Sequence, residues 1–162
     1  MKWVAKLAAF GMPGPSCDLR AILFDLDGTL LDSFQSHLEI YQATLARFGL
    51  VLTPDDFRRH YTPSWNEFYR RAGLPPEHWS AASTYWLQEA ATHEPQPFPG
   101  VATTLGRLQR RFRLALVTSG SRTRVTADIE RAGIAGFFEA VVTGDDVREP
   151  KPSPEGLHTA LR

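Results

Sequence analysis

Residues 21–29 have the sequence AILFDLDGT, in which a short apolar run ends in two aspartates, Asp25 and Asp27. An apolar run of this length is typical of a strand that is buried on both faces of a parallel sheet. Because charged groups are costly to bury, we expect both carboxylates at a solvated rim, where the carboxyl ends of parallel strands form ligand sites. Two carboxylates there can hold a cation, attack an electrophile and transfer a proton.

The composition excludes several classes of protein. The chain has 162 residues, of which 43% are hydrophobic and 22% charged, as in a soluble globular domain with or without a small insertion. Its 18 basic residues balance its 18 acidic residues, so we expect neither a nucleic-acid nor a membrane partner. The single cysteine, Cys17, excludes an internal disulfide and indicates a reducing compartment, which predicts a cytoplasmic location.

Residues 1–19 are predicted to form an N-terminal extension. The first ten residues, MKWVAKLAAF, loosely resemble the start of a signal peptide. However, Lys6 interrupts their apolar core, and GMPGP follows in place of a small-residue cleavage site. We therefore expect a loosely attached extension here and not a working signal.

Three apolar runs predict strands, at residues 21–24, 113–117 and 140–142. Each run is followed by a polar or glycine-containing turn, and helical spacing of apolar residues precedes the second and third runs. Strands that alternate with helices of this length form right-handed βαβ units and a parallel sheet. We therefore expect an α/β, Rossmann-like core formed by residues 20–32 and 97–162.

Residues 33–96 interrupt this alternation and are predicted to form an all-helical insertion, or cap, over the core. Apolar residues recur there at helical spacing, and PQPFPG at residues 95–100 is expected to form a stiff return linker. The aromatic residues of the cap are expected mainly in its own core. Its four histidines lack the spacing of metal ligands, so we expect them at the surface or without a specific role: His37, His60, His78 and His93.

Five residues at the ends of the predicted strands have complementary chemistry. Asp25 can attack a phosphoryl group to form an aspartyl-phosphate, and Asp27 can act as general acid and then as general base. The TSGS turn after the second strand offers the hydroxyls of Thr118 and Ser119, with backbone N–H groups, to a phosphate. Lys151, between two prolines after the third strand, can neutralise the nucleophile and the phosphate.

This arrangement resembles the haloacid dehalogenase-like hydrolase superfamily, in the branch with a helical cap after the first strand, which includes phosphoglycolate phosphatases and β-phosphoglucomutases. DLDGTLLDS at residues 25–33 is similar to the first motif of that superfamily, and FPGV at residues 98–101 is similar to its return from cap to core. Thr118 falls at the hydroxyl of the second motif, and Lys151 falls at the lysine of the third motif.

The resemblance implies a particular chemistry for the first motif. It implies that Asp25 is the nucleophile, that Asp27 is the acid/base, and that Mg²⁺ binds the Asp25 carboxylate and the Asp27 backbone carbonyl. An aspartate at position 27, in place of an aromatic residue, matches the phosphatase or phosphomutase pattern. The implied substrate is a small phosphorylated metabolite.

The superfamily has a fourth motif, with one or two aspartates that complete the magnesium site, beyond the lysine of the third motif. Residues 152–162 follow Lys151 and predict one further helix, while the GDD sequence at residues 144–146 precedes the lysine and is not assigned to that motif. We therefore expect a C-terminally truncated core of about three strands, with weak metal binding and low or absent turnover. Two alternatives are a sugar phosphomutase and a catalytically inactive binding module.

Four arginines of the cap are open to two interpretations. They are suited either to bind a second anionic group of the substrate or to face solvent on the surfaces of helices: Arg58, Arg59, Arg70 and Arg71.

Overall fold

The computed structural model describes residues 19–162. Within this range the strands are, in chain order, β1 (Ala21–Phe24), β2 (Leu31–Asp32), β3 (Gln96–Pro97), β4 (Arg113–Val117) and β5 (Ala140–Val142). The α-helices are α1 (Phe34–Ala46), α2 (Pro54–His60), α3 (Trp65–Arg71), α4 (Trp79–Ala90), α5 (Val101–Leu108), α6 (Arg122–Arg131) and α7 (Glu155–Ala160). Residues 1–18 of the predicted extension, Cys17 among them, lie outside the described residues. None of the described helices is both long enough and apolar enough to cross a membrane.

The strands β1, β4 and β5 form a parallel sheet in the order β1-β4-β5. The predicted α/β class is confirmed, and the predicted strands have the observed bounds. Four of the five residues of β4 are buried, whereas all four residues of β1 are half-buried. The expectation that β1 is buried on both faces is therefore wrong, because among the described residues β1 lies at the edge of the sheet and pairs with β4 alone.

A two-residue antiparallel pair, which the sequence pattern does not reveal, connects the helical insertion to the core. Leu31 of β2 lies opposite Pro97 of β3, and the Phe98 N–H donates to the Leu30 carbonyl at 3.0 Å. The predicted return linker therefore contains a short strand. Two residues are too few to show an alternating pattern, so this pair is recognised only in the folded chain.

The helices α1 to α4 pack around an aromatic core. The ring of Tyr41 in α1 lies 4.0 Å from the ring of Phe68 in α3 and 5.7 Å from that of Trp86 in α4, measured between centroids. The helix α2 begins at Pro54, with Thr53 as its N-cap. Most aromatic side chains of the insertion therefore stabilise its own fold, as the helical spacing predicts.

The helix α7 packs closely on the sheet and fixes the loop that precedes it. A Cβ atom added to Gly156 would lie 3.0 Å from a methyl group of Val117, so a larger residue would push the helix away from β4. The Glu155 carboxylate accepts the backbone N–H groups of Arg148 and Glu149 at 3.1 and 2.9 Å. These contacts hold the loop that carries Lys151 over the carboxyl end of β4.

Candidate active site

A cavity of about 140 Å³ lies between the carboxyl ends of β1 and β4 and the helices of the insertion. The structure brings all five predicted site residues together in its lining: Asp25, Asp27, Thr118, Ser119 and Lys151. The helical insertion adds aromatic and imidazole side chains to this lining, and α6 adds one arginine. These residues are His37, Tyr41, Tyr61, Trp65, Trp86 and Arg124.

Lys151 joins the ends of the two strands that flank the cavity. Its Nζ donates to Oδ1 of Asp25 at 2.7 Å and to the carbonyl of Val117, the last residue of β4, at 2.9 Å. The side chain of Asp25 is 45% exposed, so its carboxylate remains accessible from the cavity. The arrangement places a positive charge directly beside the predicted nucleophile.

The turn after β4 is closely packed against the loop after β5. The Thr118 N–H donates to the Val142 carbonyl at 2.9 Å, and the Thr118 hydroxyl accepts the Gly120 N–H at 3.3 Å. A Cβ atom added to Gly144 would lie 2.6 Å from the Ser119 carbonyl oxygen, so glycine is required at this approach. The turn is therefore positioned by the neighbouring loop before any ligand binds.

Asp27 does not lie at a solvated rim, in contrast to the expectation from its sequence position. Its side chain is 14% exposed, and both of its oxygens accept hydrogen bonds from the guanidinium of Arg124, at 3.2 and 2.7 Å. The Nε2 atom of His37 lies 3.5 Å from Oδ1 of the same carboxylate. Burial of the carboxylate is compensated by this ion pair, which the sequence does not reveal.

The charges around Asp27 decide its protonation state. Burial raises the pKa of Asp27. The charges of Arg124 and His37 and the hydrogen bonds from Arg124 and Ser33 lower the pKa by more than burial raises it, so the net pKa lies below its ordinary value. Asp27 is therefore ionised at neutral pH in this conformation. An ionised carboxylate is the form that accepts a proton from water.

Arg124 is the main residue of the site that the sequence analysis missed. Its Nη1 also donates to Asp128 at 3.0 Å, and Asp128 accepts a second hydrogen bond from Arg131 at 2.7 Å. Arg124 and Asp128 are four residues apart, so their pairing on one helix is visible in the sequence. The contact from Arg124 to Asp27 spans 97 residues and is created only by the tertiary fold.

His37 is buried, so of the two expectations for it, a surface position or no specific role, the surface position does not hold. Its ring makes an edge contact with Trp86, with 5.7 Å between centroids. Burial lowers the pKa of His37, the neighbouring Asp27 partly opposes this, and the net pKa lies below the ordinary value. The other three histidines of the insertion are half-buried or exposed, as predicted: His60, His78 and His93.

The two aspartates at residues 145–146 are committed elsewhere. Asp145 accepts the backbone N–H of Arg122 at 2.8 Å, and Asp146 accepts the N–H and the hydroxyl of Thr143 at 2.7 Å each and pairs with the Arg122 side chain. Neither residue lines the cavity. Both fasten the loop after β5 to the start of α6.

The described residues offer few ligands to a metal ion. Among residues 19–162, no group of three or more His, Cys, Asp or Glu side chains is placed to hold one. The half-exposed Asp25 carboxylate is accessible, whereas the Asp27 carboxylate is occupied by Arg124. Because Mg²⁺ in proteins often keeps several waters and takes one or two carboxylates, the residues present fit a magnesium ion held largely by water.

The parallel sheet, the helical insertion after its first strand and the cavity between them define an α/β protein with a helical cap over its site. Residues 22–162 match the model of the haloacid dehalogenase-like hydrolase family, and the chain belongs to this family. The predicted family and the predicted enzyme class, a phosphatase of the haloacid dehalogenase-like type, are confirmed.

Relatives of known name share both sequence and fold with the chain. It is 33% identical over 153 residues to the pyrophosphatase PpaX of Bacillus velezensis, a match that covers 87% of this chain and 67% of that protein. The structure of CbbY from Rhodobacter sphaeroides in complex with xylulose-1,5-bisphosphate is 27% identical, with a TM-score of 0.75 and coverage of 89% and 72%. A predicted phosphoglycolate phosphatase from Haemophilus somnus, 21% identical, has the same fold, with a TM-score of 0.78 and coverage of 92% and 71%.

Proposed function

We propose that the chain releases phosphate from a small phosphorylated metabolite through an aspartyl-phosphate at Asp25. The contact between Asp25 and Lys151 carries this proposal, because it places an accessible carboxylate and a fixed cation at one point of a cavity. A carboxylate oxygen of Asp25 forms a bond to phosphorus while the bond from phosphorus to the leaving oxygen breaks. Water then attacks the phosphorus, and the Asp25 carboxylate and inorganic phosphate are released.

Asp27 is proposed to move the protons of both steps. Once it has taken up a proton as the substrate binds, Asp27 donates this proton to the leaving oxygen in the first step. The resulting carboxylate accepts a proton from the attacking water in the second step, which restores the protonated group. Lys151 offsets negative charge on the transferred phosphoryl group, and the Thr118–Ser119 turn offers hydroxyl and backbone donors to the phosphoryl oxygens. These roles follow from the position of each group in the lining of the cavity.

Mg²⁺ is proposed as the cofactor, held by the Asp25 carboxylate and the Asp27 backbone carbonyl with water in its other positions. When bound, the ion would supply positive charge to the transferred phosphoryl group. Because no group of three or more His, Cys, Asp or Glu side chains among residues 19–162 is placed to hold a metal ion, we infer weak metal binding and slow turnover.

The cavity and the relatives together suggest the substrate class. The cavity of about 140 Å³ suits a compact group, and it shares Trp65, Ser119 and Arg124 with a neighbouring cavity of about 700 Å³. The pyrophosphatase relatives make pyrophosphate the first compound to assay.

We also propose a division of the chain into core and cap and a location in the cell, both from the sequence pattern. The core comprises residues 20–32 and 97–162, and the cap comprises residues 33–96. The single cysteine supports a cytoplasmic location.

A second candidate function is a phosphate-binding module without turnover. One observation favours it, since Arg124 occupies both oxygens of Asp27 and would have to yield before that carboxylate moves a proton. Detection of Mg²⁺-dependent hydrolysis of p-nitrophenyl phosphate would exclude this candidate.

The test compares three proteins in a phosphate-release assay with pyrophosphate and p-nitrophenyl phosphate. Asp25→Asn removes the nucleophile, whereas the control Asp32→Asn alters an exposed residue of β2 that does not line the cavity. We expect release by the wild type and by Asp32→Asn, and loss with Asp25→Asn. Activity that survives Asp25→Asn would exclude Asp25 as nucleophile, and isomerisation of a sugar 1-phosphate without phosphate release would identify a phosphomutase.

A further inference from the structure

The cavity contains two cationic side chains, each paired with a different carboxylate. Lys151 contacts Asp25, and its role follows from the proposed phosphoryl transfer. Arg124 contacts Asp27 and compensates the burial of that carboxylate. The same guanidinium also belongs to the lining of the cavity, so it is a second cation that a ligand there can meet.

Three of the six buried side-chain atoms that lack a hydrogen-bond partner within residues 19–162 belong to residues that line this cavity. Nε of Arg124, Nε1 of Trp86 and Oγ of Ser119 are buried and have no hydrogen-bond partner within residues 19–162, and all three residues line the cavity. Nearly all buried polar groups in folded proteins are hydrogen-bonded. Unpaired donors beside a cavity therefore favour a ligand rich in acceptor oxygens.

The guanidinium of Arg124 is fixed in place before a ligand binds. Asp27 and Asp128 engage its Nη atoms, and the indole ring of Trp86 lies 5.9 Å from its central carbon. A Cβ atom added to Gly120 would collide with this guanidinium, so the glycine leaves room for it. Because arginine carries five N–H donors in a rigid plane, its bonds to the two carboxylates leave the Nε–H unused.

The four arginines of the insertion for which the sequence allows a role in substrate binding do not provide this cation. Each of the four is paired with a carboxylate on its own helix, and none lines the cavity: Arg58, Arg59, Arg70 and Arg71. Of the two interpretations that the sequence left open for them, the structure favours solvated helix surfaces.

We propose that Arg124 is a specificity-determining residue that binds a second anionic group, a phosphoryl or a carboxylate, on the leaving-group side of a compact substrate. The proposal rests on the proposed phosphatase function and adds the residue that recognises the leaving group.

The test measures binding, so that it does not depend on turnover. Methylenediphosphonate carries two anionic groups on one carbon, and methylphosphonate is its matched probe with one. Titration calorimetry in metal-free buffer is expected to show at least about tenfold tighter binding of methylenediphosphonate to the wild type, since charged hydrogen bonds are the strong ones. Phosphonoacetate, whose second group is a carboxylate, shows which of the two anions is preferred.

Two variants assign this preference to Arg124. Arg124→Lys keeps the charge but loses the planar donors, and we expect the preference to fall to about twofold or less. The control is Arg122→Lys. Arg122 lies on the same helix but does not line the cavity, so this variant should keep the wild-type preference for methylenediphosphonate. If Arg124→Lys does not fold, Trp86→Phe, which removes the unpaired Nε1 together with part of the indole ring, should weaken methylenediphosphonate binding severalfold more than it weakens methylphosphonate binding.

Equal affinity of the wild type for the two probes, or an unchanged preference in Arg124→Lys, would overturn the proposal. Failure of the proposed phosphatase function has a different signature. In that case no phosphate is released from any substrate, while methylenediphosphonate still binds more tightly than methylphosphonate.

Discussion

Lys151 and Asp25 are 126 residues apart in the sequence, yet Nζ of the lysine lies 2.7 Å from Oδ1 of the aspartate. The lysine also donates to the last carbonyl of β4, so it connects the loop before α7 to both strands that flank the cavity. The contact between these two residues is the structural basis for assigning Asp25 as the nucleophile.

Replacing the lysine tests whether its charge serves the reaction. Lys151→Met should lower kcat/KM by about 100-fold or more, because loss of one fixed donor to the transition state has an effect of this size. The pair is partly exposed, so we expect unfolding free energy to change by less than about 1 kcal/mol. Steady-state kinetics and urea unfolding measure the two effects, and a large loss of stability with unchanged kcat/KM would assign the lysine a purely structural role.

Arg124→Met should be strongly destabilising. It leaves the carboxylates of Asp27 and Asp128, 14% and 3% exposed, without their shared cation, and breaking such a buried pair costs about 3–5 kcal/mol. The matched control Arg113→Met removes an exposed ion pair to Glu139 and should cost less than about 1 kcal/mol. The measurement is unfolding in guanidinium chloride. Similar losses of unfolding free energy in the two variants would show that the buried ion pair stabilises the protein no more than the exposed one.

The ion pair of Asp146 with Arg122 makes the unfolding free energy depend on pH. Its hydrogen bond from Arg122 lowers the pKa of Asp146 from 3.8 to about 2. Because this pKa is depressed in the folded state, the stabilisation is fully present above pH 4 and is lost as the pH falls from about 4 to 2. Unfolding free energy should therefore drop by about 1–2 kcal/mol over that range because of this residue.

Asp146→Asn should flatten this acid limb, as measured by urea unfolding at pH 5, 4 and 3. The control Asp55→Asn changes an exposed pair with Arg58 and should keep the wild-type profile. Since Asp146 does not line the cavity, phosphate release at neutral pH should persist in Asp146→Asn. An unchanged acid limb would contradict the assigned ion pair.

Gly144 should not tolerate a side chain. A Cβ atom there would lie 2.6 Å from the backbone oxygen of Ser119, so Gly144→Ala must displace the turn after β4. We expect a loss of about 1–3 kcal/mol in unfolding free energy, together with lower phosphate affinity. Gly136→Ala, with nothing within 4 Å of its added Cβ atom, is the control, and equal stability of the two variants would disprove the close approach.

The sequence was sufficient to predict the features that depend on local pattern. The three sheet strands and the meeting of Asp25 with Lys151 follow from apolar runs and the geometry of parallel strands. The pair of β2 and β3 escaped prediction because two residues carry no periodicity.

The environment of Asp27 could not be predicted, because it depends on contacts between distant elements. Arg124 on α6 and His37 on α1 reach the carboxylate from helices that lie on either side of the cavity. Each belongs to a helix whose pattern is explained without any role in the site. Spacing alone therefore gave no reason to single out either residue.

The proposed reaction is tested most directly by trapping its intermediate. The protein is mixed with pyrophosphate and Mg²⁺, quenched with acid, reduced with borohydride and mapped by peptide mass spectrometry, which needs no more than one turnover. Reduction of an aspartyl-phosphate gives homoserine, and we predict homoserine at position 25. Homoserine at another aspartate, or phosphate release without any change at Asp25, would contradict the account.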